Sequence, residues 1–125
     1  FREMFLVTGL AKLHDQDASA VDANEVLKMA TVNGAKAMMQ PDTDVLAAGK
    51  IADIIMIDLH QPNMQPLNQI SKNIVYSGSK QNVKMTMIDG VIQYFNGTFN
   101  CCKNPEEIYE NANKIIEKLH RAVEG

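Results

Sequence analysis

Few side chains in this sequence have the type and spacing that catalysis or metal binding requires. The three histidines, His14, His60 and His120, are isolated from one another, whereas metal sites usually draw on close pairs such as HxH or HExxH. The sequence also contains no CxxC pair and no glycine-rich phosphate loop. Taken alone, these residues assign no reaction to the chain.

Two of the histidines are explained by their place in the predicted structure without a catalytic or metal-binding role. His14 ends the first predicted helix, where the helix dipole favours a cation. His60 lies near Gln61 and Asn63, which suggests a polar site but supplies no second metal ligand, so we predict a solvated loop histidine. The sequence therefore predicts no catalytic, substrate-binding or metal-binding residue in this chain.

The remaining reactive groups, carboxylates and thiols, also favour structural roles. Asp53, Asp58 and Asp89 bracket predicted strands, where carboxylates are usually solvated turn residues. Cys101 and Cys102 are adjacent, and adjacent cysteines rarely form an unstrained disulfide. Two reduced thiols are typical of a reducing compartment, so we predict a cytoplasmic protein.

Composition sets the outer limits on fold and partners. The 125 residues, 46% of them hydrophobic, suffice for about one domain with a core. A formal charge of -3 gives no reason to expect nucleic acid or an anionic membrane as partner. No apolar run reaches the ~20 residues of a membrane span, and no signal-peptide pattern is present. Because the chain begins at Phe1, we expect a piece of a longer protein.

The elements that would position any site are organised around the apolar run Ile54–Ile57. This run does not alternate with polar residues, and Gly49-Lys50 precedes it as a turn. A short continuous apolar run is typical of a strand covered on both faces. We therefore predict a central strand here.

Helices and a hairpin are predicted on either side of this strand. Residues 1–14 show helical periodicity, and a second helix begins at Asp22, which has the spacing of a capping box with Glu25. Asp89-Gly90 predicts a two-residue hairpin turn. The segment 60–73 is predicted to be a surface loop, and the eight methionines are predicted to pack in the core. An amphipathic helix is predicted after the cap Asn104 and Pro105.

Four segments of the sequence carry a resemblance to a known family. They are A-T-V-N-G-A-K-A-M at 30–38, G-K-I-A-D-I-I-M-I-D at 49–58, P-L-N-Q-I-S-K-N-I-V-Y-S-G at 66–78 and V-K-M-T-M-I-D-G-V-I at 83–92. In order and spacing they resemble the C-terminal region of metal-dependent amidohydrolases. The resemblance is closest to the branch of S-adenosylhomocysteine and methylthioadenosine deaminases and triazine chlorohydrolases. One departure is Asp44-Val45, where that family often has glycine followed by serine or threonine.

The resemblance implies an α+β fragment of a larger enzyme. Residues 1–42 would be the last helices of a (β/α)8 barrel, 43–100 the C-terminal strands of a small composite β-sandwich, and 101–125 a closing amphipathic helix. The parent would hold a divalent metal, zinc or iron, on ligands upstream of Phe1. It would hydrolyse C–N or C–Cl bonds of a purine-like or triazine-like ring.

Two functions therefore remain open at this point. The first is the C-terminal part of such an amidohydrolase, inactive as an isolated chain because the cofactor ligands lie elsewhere. Its partner would be the remainder of the amidohydrolase chain, and exposed faces would cause self-association. The alternative is a free-standing α+β protein-interaction module without catalysis, which would behave as a compact monomer.

Overall fold

The chain folds into helices and one antiparallel sheet, which confirms the α+β prediction. The structure is a computed structural model, and it describes residues 1–100 and 104–123. Its helices are α1 (Arg2–Asp15), α2 (Ala23–Lys28), α3 (Gly34–Ala37), α4 (Ile70–Ser77) and α5 (Pro105–Val123). Its strands are β1 (Ile54–Ile57), β2 (Val83–Ile88), β3 (Val91–Phe95) and β4 (Thr98–Phe99).

The second predicted helix begins at Asp22, although its cap is only half of the predicted box. The Asp22 carboxylate accepts a hydrogen bond from the Asn24 backbone amide at 2.8 Å, as an N-cap should. The Glu25 side chain does not close the box, because it pairs with Lys28 at 2.7 Å. The helix runs through a π-helical segment, Met29–Asn33, into α3.

The core lies where α2 packs against α4. Ala23, Val26 and Val75 are each at most 2% exposed and form one cluster. Side chains from α1 and α4, among them Met4 and Tyr76, pack around it. The cluster joins residues about 50 apart in sequence, so α4 depends on α2 for its apolar contacts.

Part of the loop predicted at 60–73 is helical, and the prediction is wrong there. A 3-10 turn, Pro62–Met64, is followed by α4, which begins at Ile70. No side chain caps the first turn of α4 at Gln69, so the usual start signal is missing. The helix is instead stabilised by burying Val75 in the core.

The four strands form an antiparallel meander in the order β1-β2-β3-β4. Asp89 and Gly90 have φ values of 48° and 74°, and two positive values are what a type I′ turn requires. This confirms the predicted hairpin, in which Ile88 lies opposite Val91.

β1 is an edge strand of this sheet, so the prediction of a central strand is wrong for the described chain. It pairs with β2 alone, and Ile55 and Met56 are 55% and 50% exposed. The continuous apolar run indicates two faces that favour burial. It does not say which segment supplies the cover. Ile55 and Met56 point to opposite faces of the sheet, and residues 1–100 and 104–123 leave both about half exposed.

α5 begins as predicted and then lies in solvent. The Glu106 amide donates to the Asn104 side-chain oxygen at 3.2 Å, with Pro105 at the first helical position. Every residue from Glu106 to Val123 is exposed. Among the helices described here, none combines the length and apolar character that crossing a membrane demands.

Candidate functional site

The structure leaves the three histidines apart. The His14 side chain is 88% exposed, with Nδ1 2.6 Å from the Asp15 carboxylate, at the end of α1. His60 is exposed after β1, and His120 is exposed on α5. Within 1–100 and 104–123, no three His, Cys, Asp or Glu side chains are grouped so as to hold a metal ion. Cys101 and Cys102 lie outside the described residues.

The polar residues after β1 form a turn rather than a reactive site. The carboxylate of Asp58 accepts hydrogen bonds from the His60 backbone amide at 2.8 Å and from the Gln61 side chain at 2.7 Å. Lys84 on β2 lies 3.3 Å from the same carboxylate. His60 thus contributes its backbone amide to this turn.

The same contacts shift the ionisation of Asp58. The hydrogen bond from Gln61, then the His60 amide and Lys84, favour the charged form and hold the pKa of Asp58 below its ordinary value of 3.8. A carboxyl whose pKa is lower in the folded state stabilises the fold fully above its unfolded pKa. That contribution is lost as the pH falls through the folded pKa.

We expect Asp58→Asn to flatten the acid side of the stability profile. Above about pH 5 the variant should be less stable than the parent, and the difference should shrink as the pH falls below about 4. Urea unfolding at several pH values between 3 and 7 measures this. Profiles that stay parallel across this range would show that Asp58 makes no pH-linked contribution.

A second polar cluster fastens the loop after β1 to the start of β2. Asn82 is 1% exposed, and its side-chain oxygen accepts from Asn63 at 2.9 Å and from the Ser79 amide at 2.9 Å. Its side-chain nitrogen donates to the Asn63 side-chain oxygen at 3.1 Å. The Asn63 nitrogen also donates to the carbonyl of Ser77 at 2.7 Å. The side-chain amide of Asn82 is thus satisfied on both atoms, as a buried polar group requires, by a partner that is itself exposed.

The G-K-I-A-D segment at 49–53, just before β1, makes two tethers, that is, contacts that fix neighbouring loops. Lys50 makes the first of these contacts. Gly49 has a φ of 85°, a value that glycine adopts without strain. Lys50 Nζ then lies 2.6 Å from the Pro41 carbonyl and 2.9 Å from the Asp44 carboxylate. The hydrogen bond from Lys50 lowers the pKa of Asp44. Lys50 therefore holds the loop that leads into the strand.

Asp53 makes the second tether, between β1 and the hairpin turn. Its carboxylate accepts from the Asp89 backbone amide at 2.8 Å. The Gly90 amide donates to the Ala52 carbonyl at 3.0 Å. Asp53 thus joins the start of β1 to the β2–β3 turn, so the role of this segment within the described chain is to build the scaffold.

The surface with the features of a functional contact is apolar. A groove of about 730 Å³ runs between the 29–37 helical region and β1. α1 also exposes apolar side chains, among them Phe5 and Leu10, which are 57% and 56% exposed. Apolar exposure of this extent marks a contact surface. The groove is lined by residues that include Ala30, Gly34, Met38, Leu46, Ile54 and Ile55.

The sequence pointed to Asn63 as part of a polar segment beside His60, but not to Asn73 or Asn82, which organise this region with it. The Asn73 side chain donates to the carbonyls of Met64 and Pro66 at 2.9 and 3.1 Å, and Asn63 and Asn82 form the amide pair. Each is a single polar residue in a polar stretch of sequence. No local pattern separates a buried asparagine from a solvated one.

The sequence is similar to those of known proteins. The sequence model described as "Amidohydrolase family" matches residues 1–92. The 5-methylthioadenosine/S-adenosylhomocysteine deaminase of Lawsonia intracellularis is 40% identical over 99 residues, which cover 79% of this chain and 22% of that protein. The 5'-deoxyadenosine deaminase of Methanosarcina mazei is 33% identical over 124 residues, 99% of this chain and 27% of that protein. The chain thus spans about a quarter of the length of these curated relatives.

Solved structures agree with the sequence match. An adenosine deaminase from Xanthomonas campestris with bound zinc superposes with a TM-score of 0.90 at 26% identity, over 96% of this chain and 27% of that one. An atrazine chlorohydrolase from Arthrobacter aurescens TC1, complexed with zinc, gives a TM-score of 0.76 at 22% identity, over 90% of this chain and 26% of that one. The second likeness shows the fold alone.

Proposed function

Because this chain belongs to the amidohydrolase family, we propose that it is the C-terminal part of a metal-dependent hydrolytic deaminase of adenosine-like substrates. The observation that carries the proposal is the match to adenosine-type deaminases at 33–42% identity, along a segment equal to 21–27% of their length. The scaffold role of Lys50 and Asp53 is consistent with such a part. The interaction module without catalysis is not favoured by these relatives.

We propose the domain division that the resemblance implies, and the exposed surfaces support it. Residues 1–42 are the last helices of a (β/α)8 barrel, and 43–100 are the C-terminal strands of a composite β-sandwich. The exposed side chains of β1 and the exposed side of α1 pack against the remainder of the hydrolase chain. This accounts for Ile55, Phe5 and Leu10 being more than half exposed in the described chain.

We propose that the metal ion, zinc or iron, binds to ligands outside this chain, as the resemblance implies. Zinc in the structures of the Xanthomonas campestris adenosine deaminase and the atrazine chlorohydrolase supports a divalent metal in this family. No step of the reaction is assigned to the residues described here. Ligands of such an ion must converge on one point. The chain contributes the scaffold of the enzyme. We place the protein in the reducing cytoplasm.

Hydrolytic dechlorination of a triazine-like ring is the second candidate function. It is supported by the fold of the atrazine chlorohydrolase, at 22% identity. The deaminases are closer in sequence and include a structure with the higher TM-score. Deamination is therefore preferred.

We expect the pure 125-residue chain to release no ammonia above the blank. The substrates are adenosine, 5-methylthioadenosine and S-adenosylhomocysteine, each tested with added zinc and with added ferrous iron. Enzymes of this kind accelerate hydrolysis by about 10⁶-fold or more, so a small active fraction would be detected by a coupled ammonia assay. Turnover by the pure chain would contradict the proposed inactivity.

The positive test uses the whole open reading frame that contains this sequence. Its product should release ammonia from the same substrates, lose that activity on treatment with a chelator, and release no chloride from atrazine. Chloride release without ammonia release would replace the deaminase by the second candidate. A start codon directly before the codon for Phe1 would contradict the proposed parent enzyme.

A further inference from the structure

α5 carries an apolar stripe that the described residues leave uncovered. The stripe repeats at helical spacing over the 19 residues of Pro105–Val123. Ile115 and Leu119 are each 57% exposed, and Val123 is 86% exposed. A stripe of this kind in water favours association with another apolar surface. Its members are Ile108, Ala112, Ile115, Ile116, Leu119 and Val123.

The charges of α5 are divided between its two ends. The half from 105 to 113 contains Glu106, Glu107 and Glu110 and no lysine or arginine. The half from 114 to 123 contains two lysines, one arginine and one glutamate. One half is therefore negative and the other positive. Antiparallel pairing of two such helices brings opposite charges together, whereas parallel pairing brings like charges together.

The apolar stripe is also self-complementary in the antiparallel direction. A two-fold axis between Ile115 and Ile116 places these two residues opposite each other in the two copies. The same axis places Ala112 opposite Leu119, so a small side chain faces a large one, and Ile108 opposite Val123. Matching small against large side chains is how facing apolar layers fill space.

We propose that α5 pairs antiparallel with α5 of a second copy of the chain. The contact is isologous, as expected for a two-fold dimer. The match to the family model ends at residue 92, before α5 begins. The inference goes beyond the proposed function and does not depend on it, because it rests on the charge and spacing of α5 alone.

The first test is the mass of the full chain in solution. Sedimentation equilibrium should show a species of twice 13.9 kDa that forms as the concentration is raised. Ile115→Asp should raise the dissociation constant by at least about tenfold, since it places a charge at the centre of the apolar contact. The matched control is Leu13→Asp on α1, a residue 76% exposed, which should leave the constant unchanged.

Two results of this test would overturn the proposal. One is a monomer at every concentration. The other is a dimer that Ile115→Asp leaves intact while circular dichroism shows unchanged helix content. A dimer broken by Leu13→Asp and kept by Ile115→Asp would move the contact to α1.

Disulfide trapping tests the direction of the pair. In a background with Cys101 and Cys102 replaced by serine, Ile115→Cys should form an intermolecular disulfide because it lies next to the two-fold axis. Ile108→Cys should not form this disulfide. The substituted position 108 of the second copy would lie opposite Val123 of the first, fifteen residues or about 22 Å along the helix from the first copy's own position 108. Equal trapping of both variants, or of neither, would overturn the antiparallel arrangement.

Discussion

Replacing Met64 with alanine is expected to lower the free energy of unfolding by about 2–5 kcal/mol. Met64 is 0% exposed and is among the largest fully buried side chains among the described residues. Removing its three outer heavy atoms forfeits their burial and leaves a cavity that the surrounding loop and α4 fill only in part. Urea unfolding followed by circular dichroism measures the loss as a lower midpoint at unchanged slope.

The chain offers a matched control for this prediction in Met38. Met38 is 70% exposed at the end of α3, so Met38→Ala removes the same atoms without creating a cavity. We expect its effect to stay within about 0.5 kcal/mol. Equal losses in Met38→Ala and Met64→Ala would show that Met64 is not part of a packed interior.

The sequence alone does not tell which of the methionines are buried. All eight were predicted to pack in the core, and this is wrong for several of them, since Met29, Met38, Met39 and Met56 are 47–87% exposed. An apolar side chain favours burial wherever it stands. Which methionine is buried depends on contacts between segments far apart in sequence, and these contacts are absent from any local pattern.

Features set by a few neighbouring residues were predictable. Asp22 caps its helix, Asp89-Gly90 turns the hairpin, and Asn104 with Pro105 begins α5. In each case the local φ value or the first free amide of the helix decides the outcome. The resemblance to amidohydrolases, built from four such segments, is confirmed by the family match over residues 1–92.

Features that depend on distant partners were not predictable. The position of β1 at the sheet edge and the start of α4 at Ile70 follow from which segments are present to pack against them. The Lys50 and Asp53 tethers belong to a recognisable segment, yet only the fold shows that they bind Asp44 and the Asp89 amide. Of the asparagine cluster around Asn82, the sequence pointed only to Asn63, as a neighbour of His60, and gave no signal for Asn82 itself.

Asn82→Ala is expected to lower the free energy of unfolding by about 2–4 kcal/mol. The substitution removes an amide that is 1% exposed and strands two groups that bond to its oxygen at 2.9 Å, the Asn63 side chain and the Ser79 amide. Alanine leaves the half-buried Ser79 amide without its acceptor, and a polar group shielded from water without a partner costs more than the lost bond alone. Asn63 is exposed, so water can replace the bond that it loses. Urea unfolding at neutral pH measures the change.

The neighbouring residue supplies the control that separates this cluster from the turn in which it lies. Gln81 occupies the same 3-10 turn, Lys80–Asn82, and is exposed, so Gln81→Ala should cost less than about 0.5 kcal/mol. Combining Asn82→Ala with Asn63→Ala should cost less than the sum of the two single changes, since each removes the same pair of bonds. Strict additivity would show that the two asparagines are not coupled, and the loop after β1 would then need another anchor on β2.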